Sequence, residues 1–129
     1  MTPFFSIVIP TYNRANKLKH SIESVLAQSY ENFEILVMDD GSTDDTPAVV
    51  EAIKDPRIIY RWEKNFGGPS RPRNRGISIA KGEWICFLDA DDWWGTNKLQ
   101  VCFEGINSNV DLIYHDLEIA TEKPSEFRK

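Results

Sequence analysis

The chain has 129 residues, enough for one domain with a real core and too few for two. With 41% hydrophobic and 27% charged residues it has the composition of a soluble globular protein rather than a disordered one. Its net charge of −5 argues against nucleic acid as a partner, because phosphate backbones attract basic surfaces, while leaving local basic clusters able to hold a small anion.

The first apolar run, residues 4–9, reads as a buried strand that Pro10 breaks. It is too short for a signal peptide or a membrane span and carries no basic flank. The expected location is the cytoplasm, or the cytoplasmic face of a membrane to which something else holds the chain. From 15 to 29, Leu18, Ile22, Val25 and Leu26 recur at helical spacing. A second strand spans 33–38 and ends in Asp39-Asp40-Gly41-Ser42. The next helix has Thr46 as its expected N-cap and Pro47 at its first position, with Val49, Val50 and Ile53 inward and Asp55-Pro56 as the stop.

The third strand spans 57–62. A loop rich in Gly, Pro and Arg, 65–72, precedes a short helix through Ile77 and Ile79 that stops at Lys81-Gly82. The fourth strand, 84–88, runs into Asp89-Ala90-Asp91-Asp92. A helix over 96–106, a fifth strand over 111–114 and a frayed polar tail over 118–129 complete the reading. Cys86 and Cys102 form no CxxC pair and are expected to be free thiols in a reducing compartment.

This order of strands and helices implies one α/β domain over 1–129, with a mostly parallel sheet flanked by helices. Such sheets bind ligands beyond the carboxyl ends of their strands. Three polar clusters occupy those ends: Thr11-Tyr12-Asn13-Arg14, Asp39-Asp40 and Asp89-Ala90-Asp91-Asp92. In an extended backbone Asp89 and Asp91, two apart, point the same way. Two such charges about 4 Å apart repel by about 4 kcal/mol at an effective dielectric of 20, so a cation is expected between them. Hard divalent ions with oxygen ligands, Mn2+ or Mg2+, suit the pair and would let it hold a diphosphate. Asp92 serves equally well as part of that set or as a helix cap.

Asp40 can accept hydrogen bonds from a base N–H or a sugar hydroxyl while Asp39 braces the turn at Gly41. Tyr12 offers an aromatic face, although ordinary core packing is what its residue type favours. Of the arginines in the basic stretch, Arg73 is the best single candidate for phosphate. Adjacent Trp93 and Trp94 cannot both face one ligand, so at least one is structural. His20 reads as a surface residue, and His115 as core or surface rather than a metal ligand.

Several stretches resemble the family 2 glycosyltransferases, which have the GT-A fold. They are Ser6 to Arg14, Val37 to Asp44, Arg73-Asn74-Arg75-Gly76-Ile77, Lys81-Gly82-Glu83 and Phe87 to Asp92, together covering about residues 5–114 in the family's order. The resemblance implies a GT-A nucleotide-sugar-binding portion and transfer of a sugar, with inversion, from a nucleotide-diphosphate sugar to an acceptor hydroxyl. UDP is the expected nucleotide. It places Pro10, Thr11, Tyr12, Asp40, Asp89 and Asp91 on the donor, with Asp91 and then Asp89 on the metal; Arg14 and Arg73 complete the expected donor-binding set. The implied acceptor is a saccharide or lipid-linked sugar, as in cell-wall or polysaccharide synthesis.

Family members continue into an acceptor-binding half that carries the catalytic base. Asp111, Asp116, Glu118 and Glu122 match no family motif for that base. The chain is therefore expected to be C-terminally truncated relative to the family, to lack the base, and to expose apolar surface that a homo-oligomer would bury. A non-catalytic nucleotide-sugar-binding domain shares every motif. Other α/β enzymes fit less well: no GxGxxG or Walker A motif is present, the DxD follows the fourth strand rather than the first, and the acidic pair Asp39-Asp40 follows the second.

Overall fold

The computed structural model describes residues 2–106. The fifth strand, the polar tail, His115 and the four unmatched acidic residues lie outside the described residues. Four strands, β1 (Phe5–Thr11), β2 (Phe33–Asp39), β3 (Ile58–Trp62) and β4 (Trp84–Phe87), form one parallel sheet in the order β3-β2-β1-β4. The helices are α1 (Ala15–Leu26), α2 (Thr46–Ala52), α3 (Ser70–Ile79) and α4 (Lys98–Gly105). The sheet grows from β1 toward β3 and then crosses to β4 on the far side of β1. The switch point of the topology is therefore the crevice between β1 and β4.

β1 and β2 are buried along their whole length, as expected of central strands covered on both faces. Phe5, Ile7 and Ile9 of β1 point to one side, where Leu18, Ile22 and Val25 of α1, Val50 of α2 and Leu99 of α4 meet them. Val8 points to the other side with Leu36 and Met38, under α3. There Gly76 lets the helix lie on the sheet, because a Cβ would come 2.5 Å from Val8 Cγ1 and 3.3 Å from Met38 Cγ. Ile85 and Phe87 pair with Ser6 and Val8, share that second face, and are 36% and 44% exposed.

Element types follow the sequence reading and several boundaries do not. Pro10 does not end β1: the strand continues against β2 to Thr11↔Asp39. Val8 C=O accepts the Leu88 N–H, so even-numbered residues of β1 face β4. The ladder with β4 stops at Val8↔Phe87, and the donor that Pro10 lacks falls where β1 and β4 have already parted. In α2, Asp45 is the N-cap, Thr46 is already helical and Pro47 comes second. α1 ends at Leu26 rather than Ser29, β4 at Phe87 rather than Leu88, and α4 is shorter at both ends. α3 begins at Ser70, inside the segment expected to be a loop, with Pro72 tolerated in its first turn.

Asp44 fastens α2 to α1: its carboxylate accepts the N–H groups of Ala15 (3.2 Å) and Thr46 (3.1 Å) and the Thr46 hydroxyl. That hydroxyl, and then the backbone donors, hold its pKa below the ordinary value of 3.8. A depressed folded pKa contributes stability that is complete above the unfolded value and is lost as pH falls through the folded one. Asp44→Asn is therefore expected to flatten the dependence of melting temperature on pH below about 4, measured against wild type.

Candidate functional site

The carboxyl ends of β1, β2 and β4 and the first turn of α3 surround a cavity of about 330 Å³. That is within the usual size range for small-ligand sites. Pro10, Thr11, Tyr12, Arg14, Asp40, Arg73, Asp89 and Asp91 all line it, with Gly68, Pro69, Pro72 and Ala90 between them. Trp93, Trp94 and Asp92 do not: Trp94 packs on the core beside Lys98, and Trp93 lies against the exposed His20 with ring centroids 5.1 Å apart.

At the β1 end, Thr11 is 4% exposed, and its hydroxyl is the one buried side-chain polar atom among the described residues without a hydrogen-bond partner. A buried polar group left unpaired costs on the order of 1–3 kcal/mol, which makes the Thr11 hydroxyl a candidate ligand contact. Tyr12 is not core as its residue type favours: it is 46% exposed at the cavity.

At the β2 end the two aspartates divide their tasks. Asp39 is fully buried; its carboxylate accepts the Ser42 N–H (2.9 Å) and the Tyr60 hydroxyl, closing the turn over Gly41 (φ +85°). Burial, and then the Asp39 carboxylate, raise the Tyr60 pKa, so Tyr60 stays a donor. Asp40 lines the cavity, yet its carboxylate already accepts three bonds from the following loop: from Phe66 N–H (3.0 Å), Gly67 N–H (3.0 Å) and Asn65 Nδ2 (3.2 Å). A carboxylate accepts about four, so one acceptor position remains. Asp40 thus shapes the Gly68–Pro69 side of the cavity as well as facing into it.

At the β4 end the backbone is not extended. Asp92 N–H donates to Asp89 C=O (3.0 Å), so Asp89 to Asp92 form a turn, and it is this turn that brings Asp89 and Asp91 to the cavity. Arg73 Nη2 lies 3.0 Å from Asp89 Oδ1. Partial burial, and then the nearby charges of Asp91 and Asp89, raise the Asp92 pKa. The other two arginines of α3 are turned away: Arg71 and Arg75 both pair with Glu63, at 3.7 and 3.0 Å.

No three His, Cys, Asp or Glu side chains come together to cage a metal among the described residues. A Mg2+ or Mn2+ ion that keeps water and phosphate oxygens needs only one or two carboxylates, and Asp89 with Asp91 fit that demand.

The sequence profile described as glycosyl transferase family 2 matches residues 6–129. The chain belongs to that family. A UDP-Glc:alpha-D-GlcNAc-diphosphoundecaprenol beta-1,3-glucosyltransferase of Escherichia coli, WfaP, is 45% identical over 73% of this chain and 38% of its own length. An uncharacterized glycosyltransferase of Rickettsia bellii is 44% identical over 85% of this chain and 16% of its own. Among solved structures, S. aureus TarS in complex with UDP superposes with a TM-score of 0.75 at 33% identity, covering 78% of this chain and 31% of TarS. A mannosyltransferase of Pyrobaculum calidifontis in complex with GDP-Man and Mn2+ gives a TM-score of 0.66 at 29% identity, covering 73% of this chain and 29% of its own. The chain thus spans less than half the length of these relatives. Its fold is GT-A, a parallel sheet between helices.

Two residues that support the site of this family 2 chain, Ser21 and Gln28, escape a reading by motif, and a third, Asn13, lies inside a motif that assigns it no role. Ser21 of α1 is fully buried, and its single hydroxyl proton is shared between the carbonyls of Ala90 (2.8 Å) and Asp92, holding the acidic turn from behind. Gln28, two turns on, donates to Gly95 C=O (2.6 Å) and accepts from Leu99 N–H (3.0 Å). The visible signal was a row of polar residues, Ser21, Ser24 and Gln28, at helical spacing beside an apolar face. Asn13, at φ +49°, accepts the Thr43 N–H (2.8 Å) and ties the β1 loop to the β2 loop. Ser21→Ala removes the buried donor from behind the acidic turn and is expected to cost about 1–3 kcal/mol of stability, read as a lower melting temperature.

Proposed function

We propose that this chain is the donor-binding domain of a glycosyltransferase that takes a nucleotide-diphosphate sugar, with UDP as the nucleotide. The sugar is passed to an acceptor hydroxyl with inversion at the anomeric carbon. The observation that carries this reading is the meeting of three strand ends and α3 in one cavity, with an unpaired Thr11 hydroxyl, an acidic turn and a guanidinium on its walls. The base lies against Pro10, Thr11 and Tyr12, with its imide N–H given to the remaining acceptor position of Asp40. The diphosphate faces Arg73 and Arg14. Asp91 and Asp89 hold Mn2+ or Mg2+, which when bound stabilises the negative charge of the departing diphosphate as a Lewis acid.

TarS was solved with UDP and with UDP-GlcNAc, and the Pyrobaculum enzyme with GDP-Man and Mn2+, which supports the ligand class and the metal. Two E. coli relatives named as acting on GlcNAc-diphosphoundecaprenol support a lipid-linked acceptor and action close to a membrane. No helix among the described residues is long and apolar enough to cross one. Titration of the chain with UDP, with Mn2+ and then with chelator, is expected to show binding that the chelator abolishes. Equal affinity in both conditions would refute the metal-bridged site.

A second reading is favoured by one observation: Asp40 is held by its loop and Asp89 by Arg73, which leaves Asp91 as the one lining carboxylate without a partner among the described residues, and the proposed metal takes it. No cavity carboxylate among the described residues is then left to deprotonate an acceptor, a step worth a factor of about 10² to 10⁴. On that reading the chain binds donor without turning it over. UDP release that rises on adding acceptor separates the two.

A further inference from the structure

The ion pair between Arg73 and Asp89 joins two residues that line the cavity, and it lies where two different cations have a claim. Resting on the donor-binding reading above, we propose that Arg73 is a resident counter-cation: its guanidinium competes with the divalent ion for Asp89, and is released toward the diphosphate when the metal takes that carboxylate. Metal and nucleotide then depend on each other for tight binding.

Four observations carry this. Arg73 reaches Asp89 from a different element, α3, at 3.0 Å, and no other side-chain hydrogen bond of Asp89 is formed among the described residues. Both side chains are open to solvent ions, 38% and 53% exposed. Arg71 and Arg75, on the same helix, are held by Glu63, so Arg73 is the α3 guanidinium that lines the cavity. Finally, the acidic turn carries three carboxylates in four positions, and one cation in contact leaves it net negative.

Magnitude decides between a fixed strut and an exchangeable partner. An exposed pair holds its two charges together by a factor of only about two to five, too little to exclude a divalent ion but enough to weaken its binding. A diphosphate offers the displaced guanidinium a better, bidentate partner. The loss is then recovered only when nucleotide is present, which is positive coupling between two ligands.

The test measures Mn2+ alone, by the electron paramagnetic resonance signal of the free ion, against the full chain carrying Arg73→Met, Arg73→Gln or Arg73→Lys. The two neutral variants are expected to bind Mn2+ about two- to fivefold more tightly than wild type, with Arg73→Lys near wild type because it keeps the charge. With UDP added the order reverses, and the neutral variants bind the Mn2+–UDP pair more weakly. Circular dichroism confirms the folded state of each, and two neutral variants guard against one failing to fold. Unchanged or weaker Mn2+ affinity in the neutral variants would overturn the proposal, as would Arg73→Lys behaving like Arg73→Met. Wild type that binds Mn2+ but shows no affinity for UDP at any Mn2+ concentration would instead sink the donor-binding reading itself.

Discussion

With the donor site proposed above, Asp91→Asn is expected to remove the Mn2+-dependent part of UDP binding while leaving the fold intact. Asp91 is exposed at the tip of the acidic turn and accepts no side-chain or backbone bond among the described residues, so its charge has no part in holding the domain together. Surface changes of that kind move stability by less than about 0.5 kcal/mol. The effect on ligand is much larger. Altering a group that only supports a metal ligand costs about 10- to 100-fold in metal affinity. Loss of one of only two protein carboxylates is expected at or beyond the upper end of that range. Calorimetric titration of UDP in saturating Mn2+ should therefore show at least about a hundredfold weakening. In chelator, variant and wild type should coincide. A variant that keeps its Mn2+ dependence would move the metal elsewhere. Asp89→Asn should show a smaller loss, since that carboxylate is already shared with Arg73.

How far the site could be read ahead depends on which forces set each part. The strands β1 and β2 were plain because burial on both faces writes a continuous apolar run into the chain. The clusters that follow them were plain for the same reason, since a polar run directly after a buried strand lies at the sheet edge. Pro10 was misjudged because residue type does not say which neighbouring strand an N–H faces; only the ladder shows that it faces β4 beyond the last pair. The start of α3 was hidden by composition. Ser70-Arg71-Pro72-Arg73 looks like loop, although proline in a first turn is compatible with a helix.

The acidic cluster was expected at the sheet edge because it ends a strand, and it lines the cavity there, but the extended backbone expected to align Asp89 with Asp91 is instead a turn. Its actual shape depends on Ser21, 69 residues away from Ala90 in the chain. Likewise the three bonds from residues 65–67 to Asp40 join a strand end to a loop 25 to 27 positions on. Contacts at that separation leave no periodic trace.

Gly41→Ala is expected to do more damage than any other single methyl at the site, and the reason combines backbone and packing. Gly41 sits at φ +85°, where an L residue with a side chain is held at a cost of roughly 1–2 kcal/mol. Its added Cβ would also stand 2.4 Å from the backbone nitrogen of Asn65 and 2.9 Å from its Cα. Backbone cannot swing aside as a side chain can, so the loop from Asn65 must move as a unit. That movement draws Asn65 Nδ2, Phe66 N–H and Gly67 N–H off the Asp40 carboxylate, and hydrogen bonds to a charged group are worth about 1.5–3 kcal/mol each. A loss of roughly 3 kcal/mol or more follows, a large share of the about 5–15 kcal/mol that holds a domain of this size together. The melting temperature should fall by on the order of 10 °C, and UDP affinity should fall with it because Gly68 and Pro69 leave the cavity wall. Gly67→Ala supplies the contrast. Gly67 also has a positive φ, +106°, but nothing lies within 4 Å of the methyl it would gain. It should suffer the backbone cost without the collision, and so melt well above Gly41→Ala. Equal losses in the two variants would mean that the close approach of Asn65 to Gly41 is not what fixes the loop over Asp40.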